Sequence, residues 1–315
     1  MEKREKIKKV AILGCGLIGS SWATVFCRNR LEVNIYGRSI QKLNMLNEKI
    51  SYMLALLCDE GLIDKNTSEE SVKYIKKFNK LEDTVKDVDY IQECLPENLE
   101  LKQDFFARVT DLTSPDVIIG SSCSGLRLSD ITAKVKNHPE RCIVAHPANP
   151  PHILPFMEIA GDNSSEQVKE TAYCFMESIG QKPIKCKEVY GYVLNRVQLA
   201  LVQEAIYLVD HGICSVEAVE RALTDGLGLR WAFTGPYGTE ELNSGNLEEG
   251  LTKYKDYMLE GFEELGRVKH YDNDFIKKAI EGLKPVMGSL SHDEYLKWRD
   301  KMVIRTRLLK ERNKW

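Results

Sequence analysis

The run Val10-Ala11-Ile12-Leu13-Gly14-Cys15-Gly16-Leu17-Ile18-Gly19-Ser20 decides the fold. Four apolar residues predict a short strand, and a glycine turn then opens a helix. In that strand–turn–helix setting, G-x-G-x-x-G predicts a dinucleotide-binding turn. Gly14 permits the tight turn, Gly16 lets the backbone approach a pyrophosphate, and Gly19 lets helix and strand pack closely. The amides of Leu17 and Ile18 point at the anion, where the helix dipole favours negative charge.

Working outward, short β-branched runs alternate with helical stretches. Val10–Leu13, Glu32–Tyr36, Val88–Glu93, Val117–Ser121 and Cys142–Ala145 read as strands, and 18–29, 40–58, 68–78 and 99–112 as helices. Near-continuous apolar strands suit a parallel sheet covered on both faces, and the alternation predicts an α/β domain with right-handed crossovers. Beyond about residue 190 the pattern turns helical. Leu194, Val197, Leu201, Ala205 and Leu208 step by three or four, and Val193, Val202, Ile206 and Val209 make that stretch apolar almost all round. Such a helix is expected to be buried on most faces, centrally or in a subunit interface. Further helices are expected over 215–224, 247–265, 273–284 and 292–312. The expected architecture is a Rossmann-type, doubly wound, mostly parallel sheet over residues 1–188, then an all-α domain over 189–315.

Composition narrows the function. The chain has 315 residues, a net charge of −3 and 29% charged residues. That balance gives no general electrostatic reason to bind nucleic acid or an acidic membrane. No apolar run approaches the roughly 20 residues of a bilayer span. The opening stretch Met1 to Lys9 is charged and lacks the shape of a signal peptide. Nine cysteines without C-x-x-C spacing argue against a disulfide framework or a zinc cage. Reduced thiols in a cytoplasmic protein, acting as small core residues, are expected, with no metal site.

The second strand should end on a carboxylate for the adenosine ribose. Here it ends Tyr36-Gly37-Arg38-Ser39. A glycine removes the charge that would repel a 2′-phosphate. Arg38 can stack on adenine or pair with that phosphate, and Ser39 can donate a hydrogen bond. The cofactor is therefore expected to be NAD or NADP, with this segment leaning towards NADP. Arg38 as a solvated surface residue beside bound NAD is the alternative.

His146-Pro147-Ala148-Asn149-Pro150-Pro151 follows a predicted strand directly and so lies at a carboxyl end, where open α/β sheets bind ligands. Glu158 follows in another short strand, and a proline-stiffened loop can return it beside His146. A carboxylate there fixes the imidazole tautomer and stabilises its charged form. The pair suits removal of a hydroxyl proton, although such pairs are also common as structural features.

With these residues the chain resembles the 3-hydroxyacyl-CoA dehydrogenase superfamily, and within it the lambda-crystallin branch, which has L-gulonate 3-dehydrogenase activity. Carnitine dehydrogenases are near neighbours. GCGLIGSSWA (14–23), ENLELK (97–102), SSCSG (121–125), HPANPPHILPFMEI (146–159), GYVLNR (191–196) and GLGLRWAFTGP (226–236) carry the resemblance. It implies that His146 is the general base for the 3-hydroxyl proton and that Glu158 orients it. Ser124 and Asn195 would hold the substrate oxygen, Asn149 would position nicotinamide or substrate, and Glu97 and Lys102 would contact the dinucleotide. Asn195 has the alternative role of capping the following helix. Cys123 reads as packing, since nothing flanking it supplies a base. Relatives dimerise through the helical domain, so a homodimer is expected, with the active site in the cleft between domains.

Departures from the CoA-ester enzymes bear on substrate. Leu154-Pro155 stands where those enzymes commonly carry Met-Lys, and Arg230 precedes the Gly235-Pro236 pair. Arg230 is a candidate carboxylate binder, because a guanidinium can grip two oxygens; a surface ion pair is its alternative. The leading expectation is a free, small, gulonate-like L-3-hydroxy acid oxidised at C3. The alternatives are a short-chain 3-hydroxyacyl-CoA, for which Lys73, Lys76, Lys77 and Lys80 on a helical hairpin would meet phosphates, L-carnitine, and a non-enzymatic crystallin-like structural role.

Overall fold

The computed structural model describes residues 7–313. The charged opening read in the sequence thus lies largely outside the described residues. The chain divides into two compact units between Arg196 and Val197, a little beyond the boundary expected at 188/189.

The first unit holds one eight-stranded sheet: β1 (Lys9–Leu13), β2 (Glu32–Tyr36), β3 (Ile75–Phe78), β4 (Tyr90–Glu93), β5 (Ile118–Ser121), β6 (Cys142–Pro147), β7 (Phe156–Ala160) and β8 (Lys182–Lys185). Its order is β3-β2-β1-β4-β5-β6-β7-β8. Every pairing is parallel except β6 with β7. Side chains alternate across a strand. Accordingly Val10 and Ile12 of β1 join one buried cluster with Trp22, Phe26 and Phe175, and Ala11 and Leu13 join another with Phe106 and Val109. Both faces are covered, as the apolar strands predict.

The helices of this unit are α1 (Leu17–Arg28), α2 (Ile40–Asn44), α3 (Leu46–Asp59), α4 (Lys65–Glu70), α5 (Leu81–Thr84), α6 (Leu99–Leu112), α7 (Leu128–Ile131) and α8 (Glu166–Ser178). Helix α9 (Leu194–Asp210) begins in its last residues and continues into the second unit. The second unit is helical throughout its described residues: α10 (Val216–Arg221), a π-helical turn (Ala222–Leu227), α11 (Gly228–Trp231), α12 (Pro236–Ser244), α13 (Leu247–Lys253), α14 (Lys255–Glu264), α15 (Asn273–Met287) and α16 (His292–Arg312).

Three expectations change. The helix read over 68–78 ends early: after α4 the chain tightens into a 3₁₀ turn and becomes edge strand β3. Ile75 and Phe78 turn inward while Lys76 and Lys77 face water. Lysines of that kind protect a sheet edge from further pairing, and in the sequence they mimic a solvated helix face. Strand β8 hides in the same way, as Lys182-Pro183-Ile184-Lys185 on the opposite edge. Finally, of the two readings of α9, central burial does not hold: Val209 is its one buried residue, and Val197, Leu199 and Val202 are exposed.

The glycine turn positions everything that follows. Gly14 has φ 125°, and a Cβ there would stand 2.5 Å from the Cys94 carbonyl oxygen. A Cβ on Gly19 would stand 1.9 Å from the Gly14 carbonyl oxygen, whereas one on Gly16 meets nothing within 4 Å. Gly19→Ala is therefore expected to lower stability by about 1–3 kcal/mol or more. Gly16→Ala is expected to stay within about 0.5 kcal/mol of the parent while weakening dinucleotide binding. Urea unfolding and cofactor titration check both, and a Gly19→Ala variant of undiminished stability contradicts the close packing.

Candidate active site

Antiparallel pairing of β6 with β7 places His146 directly opposite Glu158. Opposed residues share one face of the sheet. His146 Nδ1 lies 2.7 Å from Glu158 Oε2. The imidazole is 4% exposed and the carboxylate fully buried. The other oxygen, Glu158 Oε1, accepts from the amides of Val193 at 2.7 Å and Leu194 at 2.9 Å, where α9 begins. A carboxylate at a helix N-terminus gains from both the free N–H groups and the dipole. Ionised, Glu158 can only accept, so Nδ1 must donate and Nε2 keeps its lone pair. The arrangement can take a proton at Nε2 and disperse the resulting charge into Glu158.

Ser124 and Asn195 come together beside this pair's supporting loops. Asn195 Nδ2 donates to the Ser124 carbonyl at 3.2 Å. Because α9 begins at Leu194, Asn195 lies inside its first turn and does not cap it. Asn149 is exposed on the loop after β6, ahead of a cis bond to Pro150.

Glu97 organises the 123–125 loop. Its Oε1 accepts from Gly125 N at 2.7 Å, Ser124 N at 3.2 Å and the Cys123 thiol at 3.0 Å. Partial burial pushes its carboxyl up, but the hydrogen bonds from Cys123 and Gly125, with the Lys102 charge, outweigh it and the net shift is downward. The Cys123 thiol moves the opposite way, to about 12, through burial and the adjoining Glu97. It stays protonated at neutral pH, as its reading as packing requires.

Lys102 is the inner half of a buried ion pair. Its ammonium lies 2.6 Å from Glu93 Oε1 and donates to the Leu95 carbonyl at 3.3 Å, with both side chains 1% exposed. Burial pulls the ammonium's pKa down, and the Glu93 charge and hydrogen bond raise it further than that. Glu93 Oε2 accepts from Ser121 Oγ at 2.6 Å, which in turn accepts from Cys123 N at 3.2 Å. Lys102 thus braces, through Glu93 and Ser121, the loop that carries Ser124. Sequence reading missed Glu93 and Ser121; a carboxylate closing an otherwise apolar strand was the available signal.

The features for a dinucleotide are consistent. Helix α1 starts at Gly16 with no side-chain cap, leaving its first amides, at Leu17 and Ile18, for an anion. The open space over Gly16 leaves room for a pyrophosphate. Gly14, Gly16 and Gly19 therefore fit the group that the motif implies. At the end of β2, Gly37 packs against Cys15, Arg38 is exposed, and Ser39 caps α2 by accepting from Lys42 N at 3.3 Å. Arg230 lies exposed on α11, directly after the π-helical turn. Among the described residues no group of three or more His, Cys, Asp or Glu is placed to hold a metal ion, and no helix is long and apolar enough to cross a membrane.

The chain matches the family model for the 3-hydroxyacyl-CoA dehydrogenase NAD binding domain over residues 9–189 and that for the C-terminal domain over 191–267. It is 33% identical to lambda-crystallin of Oryctolagus cuniculus over 306 residues, 96% of each chain. It is 37% identical to L-carnitine dehydrogenase of Oceanobacillus iheyensis over 310 residues, 95% of this chain and 97% of the relative. The structure of a 5-formyl-3-hydroxy-2-methylpyridine 4-carboxylic acid 5-dehydrogenase, titled an NAD+-dependent dismutase, superposes with TM-score 0.83 at 25% identity, covering 97% of this chain and 99% of that one. Matched in order by both domain models and along nearly its whole length by these relatives, the chain belongs to the 3-hydroxyacyl-CoA dehydrogenase family.

Proposed function

We propose that this oxidoreductase oxidises a small, free L-3-hydroxy acid of gulonate-like character at its C3 hydroxyl. The observation that carries the reading is the buried His146–Glu158 pair with Nε2 left as acceptor. Oxidation of a secondary alcohol removes the hydroxyl proton and a hydride from the same carbon. His146 Nε2 receives the proton, and Glu158, 2.7 Å from Nδ1, offsets the imidazolium charge. Burial of both groups excludes water and strengthens that interaction. A dinucleotide whose pyrophosphate sits on the Gly14, Gly16 and Gly19 turn would supply the hydride acceptor, its nicotinamide. Ser124 and Asn195 hold the substrate oxygen as it becomes a carbonyl, and Asn149 positions the reactants.

Support for a free acid comes from several sides. Leu154-Pro155 replaces the Met-Lys of the CoA-ester enzymes, and Arg230 offers a fork for a carboxylate. One lysine offered for CoA phosphates already pairs with a carboxylate, Lys76 with Glu32 at 3.5 Å. L-Carnitine dehydrogenase and the pyridine carboxylic acid dehydrogenase are both named for free acids. For the cofactor, the missing carboxylate after β2 and the exposed Arg38 support use of NADP as well as NAD. For assembly, the exposed apolar residues of α9, with Leu242, Tyr257 and Phe262, support a homodimer through the second unit.

Replacing His146 with Gln is expected to lower turnover by about 10²–10⁴-fold with cofactor affinity nearly unchanged; retained activity removes the base assignment. Cys123→Ser is expected to keep turnover. Steady-state kinetics with gulonate, carnitine, 3-hydroxybutyrate and 3-hydroxybutyryl-CoA test the substrate. Preference for the thioester overturns the free-acid reading, and turnover of none supports a structural role instead. Arg230→Met is expected to raise KM far more than it lowers kcat, and Arg38→Ala to reduce kcat/KM with NADP but not with NAD. Sedimentation should give twice 35.9 kDa; a monomer contradicts the proposed assembly.

A further inference from the structure

A second basic site lies away from the glycine turn. Helix α1 runs 12 residues from that turn to Arg28, a length of about 18 Å. Beyond its end, Arg28, Arg30, Lys73, Asn66, Glu70 and Tyr74 line a cavity of about 200 Å³. Three cations face it against one lining carboxylate, Glu70, which pairs with Lys73. The nearby Asp64 is taken up by the amide and hydroxyl of Thr67, each donating at 2.8 Å. Glu70 therefore offsets Lys73, and the charge of Arg30 is left facing the cavity.

The backbone marks the same spot. Arg30 N donates to the Cys27 carbonyl at 2.9 Å and Leu31 N to the Phe26 carbonyl at 3.3 Å. This is the Schellman ending of a helix, and the position held by Arg30 is the one glycine usually fills. Arg30 has φ 60° there, a conformation unfavourable for a side chain that makes no local hydrogen bond in return. An arginine kept where glycine is easier argues for a role of its guanidinium. Arg28 adds a connection: its Nη1 donates to the His152 carbonyl at 3.1 Å. His152 belongs to the loop after β6, and its ring and amide bond Ser21 Oγ at 2.7 and 3.0 Å.

We infer that this cavity binds a phosphoryl dianion, either inorganic phosphate or the phosphate of a small monoester, at a site separate from the dinucleotide. Arginine matches phosphate oxygens with paired N–H donors, Lys73 adds a point charge, and the Tyr74 ring, 5.7 Å from the Lys73 ammonium, walls one side.

Calorimetric titration tests this with protein saturated in its nicotinamide cofactor, so that the glycine turn is filled. Inorganic phosphate and glycerol 3-phosphate are titrated at constant ionic strength, against chloride. Saturable one-to-one binding of either is expected, weakened at least tenfold in Arg30→Gly and in Lys73→Met. Glycine adopts the Arg30 backbone without strain, so a loss of binding in Arg30→Gly does not stem from misfolding. Turnover without added phosphate is expected to be unchanged in both variants. Tighter binding of the monoester identifies a metabolite's phosphate as the occupant, and tighter binding of inorganic phosphate identifies the free ion. Heats equal to those of chloride, or equal binding by the parent and both variants, overturn the inference.

Discussion

The site depends on one buried carboxylate whose two oxygens both accept hydrogen bonds. Glu158 spends one oxygen on His146 and the other on the amides of Val193 and Leu194. A carboxylate fully removed from water is costly unless it is paired and hydrogen-bonded. Three donors meet that condition, and one of them is the His146 imidazole. The same contacts tie the start of α9 to the sheet, so base orientation and placement of Asn195 share one anchor.

A second buried network repeats this logic behind the 123–125 loop. Lys102, Glu93 and Ser121 are linked by bonds of 2.6 Å, and the Ser121 hydroxyl receives the Cys123 amide. Glu97 then gathers the amides of Ser124 and Gly125. Buried hydrogen-bonded networks of this kind rigidify what they touch. The loop bearing Ser124 is thereby held through its backbone amides and not through the Ser124 side chain.

Much of this was legible in the sequence because its parts are local. The glycine turn, the strand before it and the helix after it lie within one short run, and His146 sits at the visible end of a strand. Glu158 was readable as a neighbour of His146 on a strand returned by the proline loop, and the antiparallel register sets the two opposite each other. What stayed hidden has physical causes. Edge strands β3 and β8 carry lysines for protection and so read as helix or loop. The amides of Val193 and Leu194 are backbone donors and leave no mark on residue identity. Lys102 reads as a dinucleotide contact, and its buried pairing with Glu93 depends on a residue from a different element. The apolar α9 announces burial without saying what covers it.

The central claim is that Glu158 fixes the neutral imidazole with its proton on Nδ1 and its lone pair on Nε2. Long-range proton–nitrogen NMR on histidine-labelled protein measures this directly, with the resonances of residue 146 assigned by difference from His146→Gln. A protonated, strongly hydrogen-bonded Nδ1 and a pyridine-like Nε2 are expected. A proton resident on Nε2 in the neutral ring would contradict the account, because the base would then face Glu158 and not the substrate.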